Sequence, residues 1–236
     1  MKTSSLPRFL ILLALWGLAA VAAGSVHLLF RLPPSAAPVL IAGLTIGLTM
    51  AVSRIGWISE TVRQISVRQI LAVHVGRFLG FYFVWLYAQG RLPAEFAHRA
   101  GWGDVVAAAG ALVLLFWPEG PGFRRALWIW NIVGLADLFV AVGTAGWLNL
   151  TRPGSMIEMA GLPLTLVPLW GVPIYMTSHF VIFRRLFAET CAGADASGPD
   201  AQAMAKTWIF HHEGTKNTEI DPKKRFLTSC SLCLCG

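Results

Sequence analysis

Residues 69–88 read QILAVHVGRFLGFYFVWLYA, an apolar run that contains His74 and Arg77. About 20 apolar residues, each rising about 1.5 Å along a helix, cross the roughly 30 Å hydrocarbon core of a bilayer. Ionisable groups within such a run are costly to insert, so they mark a buried site. His74 and Arg77 are three positions apart and therefore share one helix face.

Comparable apolar runs lie on both sides, at Phe9–Phe30, Pro38–Ser53, Asp104–Trp117, Ala126–Trp147 and Leu164–Phe183. Together they predict an all-α, polytopic transmembrane helix bundle of six spans. The second and fourth runs are short and are expected to extend to Trp57 and Trp102, since Trp favours the membrane interface. The first run also has signal-peptide features, namely Lys2, Arg8 and the sequence Ala20-Val21-Ala22. Its apolar part exceeds the roughly 7 to 15 residues of a signal peptide, so a retained span is expected; cleavage would leave five. Between the second and third runs, Ser59–Ile70 alternates polar and apolar residues, which suggests a short surface helix or an extension of the third span.

Composition agrees, with 56% hydrophobic and only 13% charged residues, against roughly 25% charged in a soluble domain. The net charge of +7 lies entirely before residue 190, because residues 190–236 carry five Lys/Arg and five Asp/Glu. Nucleic acid is therefore not an expected partner, whereas the lipid bilayer is. Residues 1–189 are expected to form the membrane domain and 190–236 a flexible cytoplasmic tail. Lys2, Arg8, Arg54, Arg63, Arg68, Arg124, Arg125, Arg184 and Arg185 fall on one side, against Arg31, Arg91, Arg99 and Arg152 on the other. The positive-inside rule then puts both termini in the cytoplasm, in a cell (inner) membrane.

Counting rise from the cytoplasmic ends places His74 and Asn131 roughly 7 Å deep and His179 roughly 6 Å deep. Arg77 and Asp137 lie deeper, at roughly 12 and 16 Å. The expected binding residues are thus a layer of His74, Asn131 and His179 beneath an Arg77–Asp137 pair. An Arg and an Asp near mid-helix cost about 5 to 7 kcal/mol together on insertion scales, which makes lipid-facing positions for both implausible. Three functions fit this arrangement. One is transport of a small solute or proton between the third, fifth and sixth spans, with Pro168 and Pro173 supplying a kink. The second is a b-type haem with His74 and His179 as axial ligands. The third is a structural or assembly subunit.

Other features carry less. The loop Gly90–Asp104 holds Arg91, Glu95, His98 and Arg99, and Asp104 is read as the cap of the following helix. Gly43/Gly47 and Gly76/Gly80 fit the G-x-x-x-G packing pattern. Arg31-Leu32-Pro33, Arg91-Leu92-Pro93 and Arg152-Pro153 hint at three hairpins of similar build. Cys230, Cys233 and Cys235, with His211 and His212 upstream, are weak metal candidates that lack a standard finger spacing. The sequence has no phosphate loop, zinc-protease motif or nucleophile elbow, and Ser178 has no evident base in sequence, so a non-enzymatic protein is expected.

Overall fold

The computed structural model describes residues 5–197, and every regular element among them is helical. The chain divides into the units Met1–Ala188 and Glu189–Gly236, and the first holds the geometry that follows. Cys230, Cys233 and Cys235, with the expected tail beyond residue 197, lie outside the described residues.

Helix α1 (Leu6–Ser25) carries Pro7 in its first turn, where a missing N–H breaks no helical bond. The helix stops at His27, whose backbone is left-handed (φ 49°), and a single turn Leu28–Arg31 follows. The first apolar run is therefore broken before Phe30. Next come α2 (Ala36–Arg54) and the short α3 (Gly56–Gln64). The Ser59–Ile70 segment is thus divided, its first half in α3 and its end opening α4 (Val67–Ala88). A capping box starts α4: Ser66 Oγ accepts from the Gln69 N–H at 3.2 Å, and Gln69 Oε1 accepts from the Ser66 N–H at 2.8 Å. The helix tightens to a 3-10 turn over Gly76–Leu79. Helix α5 (Ala94–Phe116) includes a π turn at Ala97–Gly101, and α6 (Pro121–Thr151) and α7 (Val172–Ser197) complete the set.

Five helices, α1, α2, α4, α5 and α6, are long and apolar enough to cross a membrane. The sixth apolar run is not one such helix. Turns precede a π turn at Val167–Gly171, and α7 begins only at Val172. Pro163, Pro168 and Pro173 each lack an N–H, which interrupts regular helix through this stretch.

The two ends of α4 differ in chemistry. At its start, Arg68 donates to the carbonyls of Leu115 and, at 3.0 Å, Trp117, where α5 terminates. Around the same end Arg185 donates to Val62 O (2.7 Å), Arg124 to Leu186 O (3.2 Å) and Arg184 to Ser53 Oγ (3.3 Å). Arg68 thereby satisfies carbonyls at the end of α5, Arg185 adds a second donor to Val62 O, which also accepts from the Ile65 N–H, and the charge of both suits the negative end of the helix dipole. At the other end Arg91 pairs with Glu158 and Arg152 with Glu95, each at 2.6 Å.

The two largest apolar clusters lie toward opposite ends of the bundle. Leu71, Ala111, Leu127, Trp130 and Ile182 pack toward the arginine-rich end, and Phe83, Leu86, Phe96 and Leu148 toward the ion-paired end. Trp130 also ties α6 to α5, its Nε1 donating to Ala107 O at 2.8 Å with the ring against Gly110. Trp130→Phe removes that bond and some packing. It is expected to lower stability by roughly 1 to 2 kcal/mol, read as an earlier midpoint in an SDS titration of the detergent-solubilised protein. Between the clusters lies a polar layer.

Candidate functional site

Arg77 sits in the 3-10 turn of α4 and is 1% exposed. Its guanidinium is shared among neighbouring helices: Nε donates to Asp104 Oδ1 of α5 at 2.6 Å, Nη1 to Gly134 O of α6 at 3.2 Å, and Nη2 to Asp137 Oδ2 of α6. From α7 the Tyr175 ring faces it, with the guanidinium carbon 5.9 Å from the ring centroid, inside cation–π range. One cation therefore meets two carboxylates. The fork geometry of Arg permits this, whereas a lysine could not reach the three acceptors in fixed directions.

One turn away, His74 and His179 are both fully buried, with ring centroids 4.5 Å apart. Their bonds assign their tautomers. The Ser178 hydroxyl donates to Tyr175 O at 2.7 Å, so the 2.7 Å contact between Ser178 Oγ and His74 Nε2 has the imidazole N–H as donor. Asn131 Nδ2 donates to His179 O at 3.1 Å, which turns Asn131 Oδ1 toward His179 Nδ1 at 2.8 Å as an acceptor. His74 is then the Nε2–H form and His179 the Nδ1–H form. The remaining nitrogens, His74 Nδ1 and His179 Nε2, are buried lone pairs without a hydrogen-bond partner. Trp130 packs against both rings, at 4.9 and 5.1 Å, and Tyr175 lies 5.1 Å from His74.

Glycines make room for these groups. A Cβ on Gly103 would stand 1.6 Å from Asp137 Oδ1, one on Gly134 would be 2.8 Å from His179 Cε1, and one on Gly76 would be 2.9 Å from Tyr175 Oη. The helices therefore approach the charged groups with bare backbone.

All five residues singled out from the sequence, His74, Arg77, Asn131, Asp137 and His179, come together here in two touching layers, with Gly134 between His179 and Arg77. Two members were missed. Asp104 is not a helix cap: α5 begins ten residues earlier, at Ala94, which carries Asp104 into the span and onto Arg77. The signal was present in Pro93 followed by Glu95, a helix start with an acidic first turn. Ser178 does have a basic partner, His74, supplied from another helix and invisible to local spacing.

Haem does not fit between His74 and His179. Axial ligands on opposite faces of a macrocycle must be separated by its plane and two metal–nitrogen bonds, whereas these rings are in direct contact. Among the described residues no group of three or more His, Cys, Asp or Glu is arranged to hold a metal ion.

No curated protein and no solved structure matches the chain. The model of one protein family matches residues 34–187, well over half of the sequence, including every residue of the site and excluding α1. The chain belongs to that family, described as a domain of unknown function (DUF8737).

Proposed function

We propose that the protein is a six-span transporter of a small solute or proton in the cell (inner) membrane, with both termini cytoplasmic and its polar layer as the working site. The spans are α1, α2, α4, α5, α6 and the broken segment leading into α7. The arginine-rich end faces the cytoplasm, in keeping with the positive-inside rule. Arg77, with Asp137 and Asp104, is the anchor or gate, and His74 and His179 are the titratable groups beside it.

The observation that carries this reading is the charge balance of the buried site. A purely structural ion pair in a bilayer gains most when its charges cancel. Arg77 instead faces two carboxyl groups, Asp104 and Asp137, one more than its single charge matches, so the second is available to take up or give up a proton or a mobile cation. The interrupted sixth segment adds support, since irregular backbone at membrane depth is tolerated where it is buried in protein or lines a cavity. A cavity of about 210 Å³ lies at the ion-paired end between Phe30, Ile41, Asn149, Met156 and Pro168, against this segment.

Purified protein in liposomes tests the proposal. Gradients of protons, sodium and chloride are followed by dyes or solid-supported-membrane current, and glycerol and urea by vesicle swelling. At least one is expected to dissipate faster than in protein-free vesicles. If every gradient persists while the same polar residues affect only folding or co-purification of partner proteins, the assembly-subunit reading replaces this one.

A further inference from the structure

We infer that the species handled at this site is the proton, received on the unpartnered lone pairs of His74 Nδ1 and His179 Nε2. The inference rests on the transport reading and narrows its substrate.

Both imidazoles have already committed their N–H groups, His74 to Ser178 and His179 to Asn131. What remains is acceptor only, which selects a species that brings its own hydrogen. Each lone pair is fully buried and unpartnered, an unfavourable condition that a bound hydrogen relieves. The surroundings then set the size. His74 and His179 touch each other, Trp130 closes on both, Tyr175 packs on His74, and the Gly134 backbone lies against His179. A box of rings in mutual contact has no place for a solute, but it can take a proton.

Charge agrees with size. The charged group beside the pair is Arg77 of α4, close to His179 at Gly134; Asp104 of α5 and Asp137 of α6 bind that guanidinium, and Tyr175 of α7 packs on His74. Arg77 and its two carboxyl partners hold one acidic group more than the single cation matches, so the set has room for one proton. The balance is simple: an imidazole lone pair forms the N–H bond as the proton arrives and breaks it as the proton leaves, with no change of oxidation state. A proton accepted on His74 Nδ1 makes both nitrogens of that ring donors, and its loss from the same nitrogen restores the resting tautomer, with the Nε2–H bond to Ser178 kept throughout.

The test uses the full chain in liposomes containing pyranine, with a potassium gradient and valinomycin to drive proton entry. The expected result is proton flux in the native protein, falling to the leak of protein-free vesicles in His74→Gln and in His179→Gln. It should be retained in Ile46→Ala, a lipid-facing change on α2. Histidine-selective ¹⁵N NMR of the native protein gives a readout independent of the variants' folding. At neutral pH His74 should be the Nε2–H form and His179 the Nδ1–H form, and no more than one of them should become an imidazolium as the pH falls. Sodium, chloride, glycerol or urea flux without proton flux overturns the proton assignment and leaves the transport reading standing. Absence of every flux overturns both, and the same tautomer on both rings overturns the assignment of the accepting nitrogens.

Discussion

Arg77→Gln is expected to destabilise the protein by about 3 to 5 kcal/mol, the cost usually found when one member of a buried charge pair is removed and its partner is left uncompensated. The reason lies in the count of partners. Asp104 and Asp137 both lean on the one guanidinium, and the Gly134 carbonyl accepts from its remaining nitrogen. Glutamine leaves two carboxylates facing each other between α5 and α6. Either Asp104→Asn or Asp137→Asn alone is expected to be much milder, because each leaves one carboxylate opposite one guanidinium. The double variant Arg77→Gln with Asp137→Asn still strands Asp104 and should recover only part of the loss. The triple variant, with Asp104→Asn added, should approach the stability of the native protein. SDS titration of the detergent-solubilised variants reads this order directly. If Arg77→Gln proved no less stable than Asp137→Asn, the three-way bridge would not hold the bundle together.

That order could not be written from the sequence, where Arg77 and Asp137 form a simple pair. Depth counting succeeds for residues well inside a run, since a rise of about 1.5 Å per residue fixes their level without knowledge of rotation. His74, Asn131, His179, Arg77 and Asp137 were legible for that reason. Asp104 was not, because its level depends on where α5 starts, and a loop rich in Gly, Arg and His hid a helix beginning at Ala94 and distorted by a π turn. Helix facing is the other quantity that local patterns omit. The His74–Ser178 contact and the positions of both free lone pairs depend on how α4 and α7 are turned. The sixth run is more irregular than the kink expected at Pro168 and Pro173: turns and a π turn occupy it up to Gly171, and regular α-helix begins only at Val172.

Gly80→Ala is expected to be strongly damaging, while the same change at Gly43 or Gly47 should be neutral or slightly stabilising. The two G-x-x-x-G pairs look alike in sequence but face different surroundings. A Cβ on Gly80 would lie 2.2 Å from Gly101 O and 2.9 Å from Asp104 Cβ. The first neighbour is backbone and has no rotamer to yield, so α4 and the π turn of α5 must separate. Overpacking of this kind costs typically 1 to 3 kcal/mol and occasionally more. The damage would extend past packing, because Asp104 follows Gly101 by less than one turn and would be drawn away from Arg77. A Cβ on Gly43 or Gly47 meets nothing within 4 Å, and Ala exceeds Gly in helix propensity by about 1 kcal/mol. Gly80→Ala should therefore unfold earlier in SDS and also lose proton flux in liposomes, whereas Gly43→Ala keeps both. Equal stability of the two variants would mean that α4 and α5 do not meet through bare backbone at Gly80 and Gly101.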